Sequence, residues 1–230
     1  MSIIFDNSIK QAGRNGFPII TGYFVVSFVF GLTAVSQGLP IWCPILLSLI
    51  VYAGAAQFTF LALIASNAST LTIVLTTFLI NLRHMLMSVY MSNILDNIKI
   101  STKLRLWYGF GLTDESFAVH SMMANNEQLN AKFLISFNTF CHIAWVLGSI
   151  LGALISTLSE NIIDLKLEYA LTAMMLYVLI SLINTREKLF VAIISIISMS
   201  ILSLAYESYL NIFIATAIGC AFILWKKNKV

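Results

Sequence analysis

Long apolar runs, broken by short charged or turn-forming clusters, divide the chain into eight segments at 17–35, 44–64, 71–95, 104–123, 133–158, 169–183, 189–205 and 210–225. A helix crossing a bilayer needs about 20 mostly apolar residues, and these runs are close to that length. The pattern predicts an all-α protein, a polytopic integral membrane helical bundle of six to eight segments. Connections such as QGLP (37–40) and SNAS (66–69) are short, so neighbouring segments should form antiparallel hairpins. No shift in composition marks a boundary, and residues 1–230 read as a single membrane domain.

Orientation follows from Lys and Arg in the loops, which favour the cytoplasmic face. Lys10 and Arg14, then Arg186 and Lys188, then Lys226, Lys227 and Lys229 all read as cytoplasmic, whereas the acidic loop 159–168 suits the outside. Both termini are then cytoplasmic. One cluster conflicts with eight full crossings, because Lys99, Lys103 and Arg105 would fall outside. Six crossings plus two broken or re-entrant segments, the second and the fourth, would bring them inside. Those two segments contain YAGAAQF (52–58) and GFGLTDESFA (109–118), where glycines accompany polar groups. Broken helices are tolerated at membrane depth only where protein or a cavity satisfies the freed backbone.

Composition agrees with the class. Of 230 residues, 59% are hydrophobic and 10% charged, and the mean hydropathy is +0.91. A soluble domain has roughly 25% charged residues. The net charge of +3 is scattered, which gives no footprint for nucleic acid. Cys43, Cys141 and Cys220 are far apart and read as small buried hydrophobes. The N-terminal MSIIFDNSIKQAGRNGF lacks the continuous apolar core of a signal peptide and reads as a short amphipathic cytoplasmic lead-in.

Scarcity of charge makes its exceptions informative. The third segment holds TTFLINLRHMLMSVYMS, with Arg83 and His84 near its middle. A central Arg costs about 2.5–3.5 kcal/mol on insertion scales, and such residues usually face a cavity or a partner. Thr77, Asn81, His84, Ser88 and Ser92 share one helical face, with Arg83 about 100 degrees away. In the fourth segment, Asp114 and Glu115 form the one acidic pair inside an apolar run. Adjacent carboxylates in a dry setting suit a proton-coupled carrier. If the segment breaks at Gly109 and Gly111, a new helix starts near Thr113 and the pair instead occupies its first turn, available to Arg83. In the second segment, Tyr52, Gly54 and Gln57 combine small size with a donor and an acceptor, a surface suited to a zwitterionic amino acid.

The four-residue spacing of small residues in the fifth segment points elsewhere. Asn138, His142, Trp145 and Ser149 share a face, but Ala144, Gly148, Gly152 and Ser156 form a small-residue strip that favours tight helix packing. Motifs for an enzyme are missing: no phosphate loop, no H-E-x-x-H and no G-x-S-x-G. No cofactor and no metal site is expected.

The blocks GFPIITGYFVVSFVFGLTA, YAGAAQF, TTFLINLRHMLMS and GLTDESFAV together resemble the AzlC family of branched-chain amino acid exporters. They cover about the first half of the chain. The resemblance implies a multi-pass inner-membrane carrier that exports leucine, isoleucine, valine or similar hydrophobic amino acids, acting with a small AzlD-type integral membrane partner. The substrate- or ion-binding residues carried over are Tyr52, Gly54, Gln57, Asn81, Arg83, His84, Asp114 and Glu115. The expected activity is secondary transport, with proton coupling through Asp114 or Glu115; a channel subunit and a structural scaffold are the alternatives.

Overall fold

The computed structural model describes residues 2–98, 100–124, 129–158, 176, 179–180, 183, 185–205 and 211–227. Lys99, the acidic loop 159–168 and most of the segment 169–183 lie outside the described residues. The chain forms two compact units, Met1–Leu176 and Tyr177–Val230, and every described element is helical.

The first unit contains α1 (Ser2–Ser36), α2 (Trp42–Leu46) running into a π-helical turn (Leu47–Val51), α3 (Gly54–Ala65), α4 (Thr70–Asp96), α5 (Thr102–Phe110), α6 (Asp114–Ala124) and α7 (Ala131–Leu158). The helix α1 begins well before the apolar run, so the expected amphipathic lead-in is continuous with the first spanning helix. Both short connections are tight turns. Gly38, at a φ of +89°, follows α1, and its amide donates to the Val35 carbonyl at 2.9 Å. Asn67, at a φ of +54°, follows α3, where the Ala68 amide donates to Leu63 at 2.9 Å. A left-handed residue just past a helix end is a common stop. Ser69 then caps α4, accepting from the Thr72 amide at 3.2 Å.

Helices α1, α4 and α7 are each long and apolar enough to cross a membrane, as is α8 (Arg186–Ala205) of the second unit. The second and fourth apolar segments are each interrupted. Their pieces, α2 with its π-turn, α3, α5 and α6, contain 9 to 12 residues, which at 1.5 Å per residue is about 14 to 18 Å each, roughly half a bilayer core.

The firmest packing is between α1 and α7. A Cβ added to Gly148 would collide with Ser27 Oγ and the Phe24 carbonyl, one on Gly152 with the Phe28 carbonyl, and one on Gly31 with the Ser149 carbonyl. The small-residue strip of α7 therefore receives α1, backbone against backbone. Around this seam lie Tyr23, Phe133, Phe137, Leu134 and Trp145, all buried.

Helix α4 packs on α3 and α6 along one side, with Thr76, Met87, Met91 and Leu95 buried. Its other sides expose Leu71, Phe78, Leu86 and Val89. For a helix in lipid this exposure is the expected inversion of a soluble surface, since lipid tails solvate apolar side chains. Ser88 and Ser92 are also exposed, so the lower half of the polar stripe points away from the buried side. Arg105 Nη1 bonds Asp96 Oδ1 at 2.6 Å and its Nη2 donates to the Leu95 carbonyl at 3.1 Å, closing the α4 to α5 turn.

In the second unit, α8 and α9 (Asn211–Lys227) pack against each other. Gly219 makes their approach close, since a Cβ there would strike Ser195 Oγ. Cys141 is buried, Cys43 half-buried and Cys220 exposed, so Cys220 departs from the expected burial.

Candidate functional site

Each helix interruption has a local cause. At the first, the π-turn ends with the Tyr52 amide donating to the Leu47 carbonyl at 3.1 Å. Tyr52 then takes a left-handed conformation (φ 47°, ψ 44°) and Ala53 an extended one. A left-handed aromatic residue is uncommon, and here its ring is buried and held edge-on by Tyr23 and Trp145 at centroid distances of 6.3 Å each. The helix α3 restarts at Gly54 with no side chain capping its first turn. Its leading amides are therefore free of intrahelical acceptors. Gly54 is required by a close approach: an added Cβ would lie 2.6 Å from Trp145 Cη2.

The second interruption spans Gly111–Thr113. Gly111 makes room for Asn138, whose Cβ would be 2.7 Å from an added Cβ, and Asn138 Nδ2 donates to the Tyr108 carbonyl at 3.2 Å. Thr113 opens α6 with a reciprocal cap: Ser116 Oγ accepts from the Thr113 amide at 2.8 Å, and Thr113 Oγ1 accepts from the Ser116 amide at 3.3 Å. Asp114 and Glu115 thus fall in the first helical turn, where the helix dipole favours negative charge.

The two interruptions meet. Tyr52, Ala53, Gly54 and Ala55 from the first, and Thr113, Asp114 and Glu115 from the second, line one cavity, completed by Arg83 and His84 of α4, Tyr23 of α1 and Trp145 of α7. About 20 Å³ of it is open to the centre of a water-sized sphere, room for about one water. Arg83 Nη1 pairs with Asp114 Oδ2 at 2.9 Å, with side chains 32% and 22% exposed. Arg83 Nε is buried with no hydrogen-bond partner among the described residues.

Glu115 is in a different setting from its neighbour, being 3% exposed. Its Oε2 accepts a short hydrogen bond from the Tyr23 hydroxyl, which itself lies 2.5 Å from Thr113 Oγ1. Glu115 Oε1 has no partner among the described residues.

Of the residues singled out in the sequence, Tyr52, Gly54, Arg83, His84, Asp114 and Glu115 come together here. Gln57 and Asn81 do not line the cavity. Gln57 is behind its wall, donating from Nε2 to Ser48 Oγ at 3.2 Å and accepting from Trp145 Nε1 at 3.1 Å. Asn81 lies on α4 short of Arg83, with Oδ1 buried and unpartnered among the described residues. Tyr23, Thr113 and Trp145 were not anticipated as site residues. Trp145 shares a helical face with Asn138 and Ser149, so its inward position was readable, but its meeting with Gly54 was not. His142 packs its ring 4.5 Å from that of Tyr52, and its Nε2 is 3.3 Å from the Ser48 carbonyl, which ties the π-turn to α7. No group of three His, Cys, Asp or Glu side chains with metal-binding proximity occurs among the described residues.

An all-α membrane bundle with two interrupted helices, meeting at a cavity that holds an intramembrane Arg and two carboxylates, is a multi-pass membrane protein built around a polar core site. The model for the family described as AzlC protein matches residues 18–158, and the chain belongs to the AzlC family. An uncharacterized membrane protein of Helicobacter pylori is 34% identical over 155 residues, covering 66% of each chain. The inner membrane protein YgaZ of Escherichia coli is 32% identical over 149 residues, covering 64% of this chain and 60% of YgaZ. The branched-chain amino acid transport protein AzlC of Bacillus subtilis is 24% identical over 179 residues, covering 76% of this chain and 69% of that protein. The matched part thus spans slightly under two thirds of the Helicobacter relative. No solved structure matches the chain.

Proposed function

We propose that this protein is a secondary transporter that exports branched-chain or similar hydrophobic amino acids across the inner membrane, working with a small AzlD-type membrane partner. The observation that carries this reading is the convergence of two helix interruptions on a cavity lined by Arg83, Asp114 and Glu115. Interrupted helices of this kind expose backbone groups at membrane depth that can hold the charged ends of a small solute. The uncapped first turn of α3 offers amides to the substrate carboxylate, and Arg83 lies across the same cavity. Ala53, Gly54 and Ala55 leave space for an aliphatic side chain once the cavity widens. The narrowness of the cavity corresponds to a closed form, so transport requires α3 to α6 to separate around it. The Bacillus relative's name points to the same substrate class.

Reconstituted with its partner in liposomes, the protein should move labelled leucine or isoleucine with saturable kinetics and counterflow. Arg83→Ala should lower that flux at least tenfold at equal protein content. Non-saturable flux with discrete current steps would establish a pore instead, and unchanged flux in Arg83→Ala would remove Arg83 from the mechanism.

A further inference from the structure

The two adjacent carboxylates have unlike partners. Asp114 is paired with the Arg83 guanidinium at 2.9 Å. Glu115 makes no ion pair among the described residues: the Tyr23 hydroxyl holds Oε2, and Oε1 is buried with no partner, while the Asp114 carboxylate is an adjacent negative charge. The surrounding walls are aromatic. Tyr23, Tyr52 and Trp145 meet edge-on, with ring planes at 68°, 77° and 78° to one another and centroids 5.4 to 6.3 Å apart. A carboxylate with one oxygen left unpartnered among such rings can take a proton or a cationic donor on that oxygen. The open space of about 20 Å³ admits a group of water or ammonium size.

We infer that Glu115 holds either one proton or the ammonium group of the substrate, never both, so that the site exchanges protons for amino acids. This rests on the transport reading given above and specifies its coupling. A buried carboxylate charge with one oxygen unpartnered and a second carboxylate beside it is costly without a cation, so the vacated site takes a proton on Oε1 while Tyr23 continues to donate to Oε2. When the ammonium enters, it pairs with the carboxylate, and the displaced proton leaves to whichever aqueous face the cavity has opened. Charge is conserved at the site: a neutral acid plus a cationic ammonium becomes an ion pair plus a released proton. The same carboxylate cannot be vacated by both ligands cheaply, and outward substrate movement is thereby tied to inward proton movement.

Other ionisable groups near Glu115 are Tyr23 of α1, Tyr52 at the first interruption, Arg83 and His84 of α4, Asp114 of α6 and Cys141 of α7. Arg83 is engaged by Asp114, which leaves Glu115 to the incoming cation. His84 is the one other group that ordinarily titrates near neutral pH, so its contribution must be separated.

The test is proton release from the purified full chain with its partner, in weakly buffered detergent with a pH indicator, on addition of leucine. Wild type should release close to one proton per leucine bound, His84→Gln should do the same, and Glu115→Gln should release none. Over the range in which Glu115 is protonated, the apparent Kd for leucine should rise about tenfold per unit fall in pH, as competition with one proton requires. Wild type given 4-methylpentanoate, which has the carboxylate and side chain without the ammonium, should release no proton; this arm needs no variant to fold. Leucine binding without proton release, or a pH-independent Kd, overturns the exchange while leaving the transport reading intact. Loss of release in His84→Gln with retention in Glu115→Gln moves the site to His84 and also overturns it. Absence of any leucine binding or flux overturns both readings.

Discussion

Replacing Gly54 by alanine puts a methyl group 2.6 Å from Trp145 Cη2 and 3.1 Å from Cζ2, where ordinary contact begins near 3.4 Å. The indole must retreat by about 0.8 Å to restore that contact. It is not free to do so. Its Nε1 donates to Gln57 Oε1 at 3.1 Å, and its ring lies 5.4 Å from that of Tyr23. Overpacking of this kind costs about 1–3 kcal/mol, and a lost hydrogen bond adds about 1 kcal/mol. The helical preference of alanine over glycine offsets less than about 1 kcal/mol. The expected net destabilisation is about 2 kcal/mol, read as lower thermal stability in detergent. Because Trp145 also lines the cavity, leucine flux per folded molecule should fall by more than the stability loss explains. In a Trp145→Phe background, which has its own cost because it orphans Gln57 Oε1, Gly54→Ala should cost much less than it does alone, because the smaller ring no longer reaches the new methyl group. Additive effects of the two substitutions, with no coupling between them, would refute the proposed contact, as would wild-type stability and flux in Gly54→Ala alone.

Four further outcomes are expected. Gly152→Val should abolish accumulation of folded protein, because its side chain has no space against the Phe28 carbonyl; normal yield would contradict the backbone seam. Tyr108→Phe should destabilise by about 1–2 kcal/mol, since it orphans the buried Nδ1 of His120, 3.1 Å from the Tyr108 hydroxyl, whereas Tyr108→Phe combined with His120→Phe should be near neutral in a melting assay because both polar groups are gone. Neutralising Asp114 alone (Asp114→Asn) should lower thermal stability more than the double change Asp114→Asn with Arg83→Gln does, because a lone cavity-facing guanidinium is the costlier state; a double-mutant cycle with no coupling counts against the pair. A cysteine placed at Lys103 should react with a membrane-impermeant reagent from the cytoplasmic side, and labelling only from outside would favour eight full crossings.

Much of the fold was legible because membrane helices need little beyond length and apolarity. The interruption before α6 was legible too: two glycines followed by Thr113 and an acidic pair is a helix-start signal, and α6 begins at Asp114. The first interruption was legible only in place. The small residues of YAGAAQF read as room for a close approach, and Gly54 does give way to an indole from α7, yet nothing in the sequence marks Tyr52 as the residue that takes the left-handed conformation. Sequence periodicity fixes which residues share a face but not where that face points. Asn81 and His84 therefore lie partly inside while Ser88 and Ser92 on the same stripe are exposed. Tyr23 and Trp145 escaped notice because nothing local distinguishes a ring that lines a site from one that fills a core; their role depends on contacts across about ninety residues or more, Tyr23 with Glu115 and Trp145 with Gln57. The charged exceptions were the dependable signal, since their cost in lipid demands a partner or a cavity.

The seam between α1 and α7 has a consequence for how such a molecule can move. Where two helices touch through side chains, rotamers can repack and the pair can slide by small steps. Here Gly31, Gly148 and Gly152 bring main chain against main chain, leaving few side chains to rearrange, so relative sliding would open voids or produce clashes at once. This pair behaves as a keel. Any opening of the polar cavity would then fall to the opposite wall, where the interruptions at Tyr52 and at Gly111–Thr113 are the places for half-helices to turn; α6 would carry Asp114 and Glu115 with it, and their distance from Arg83 on α4 would change.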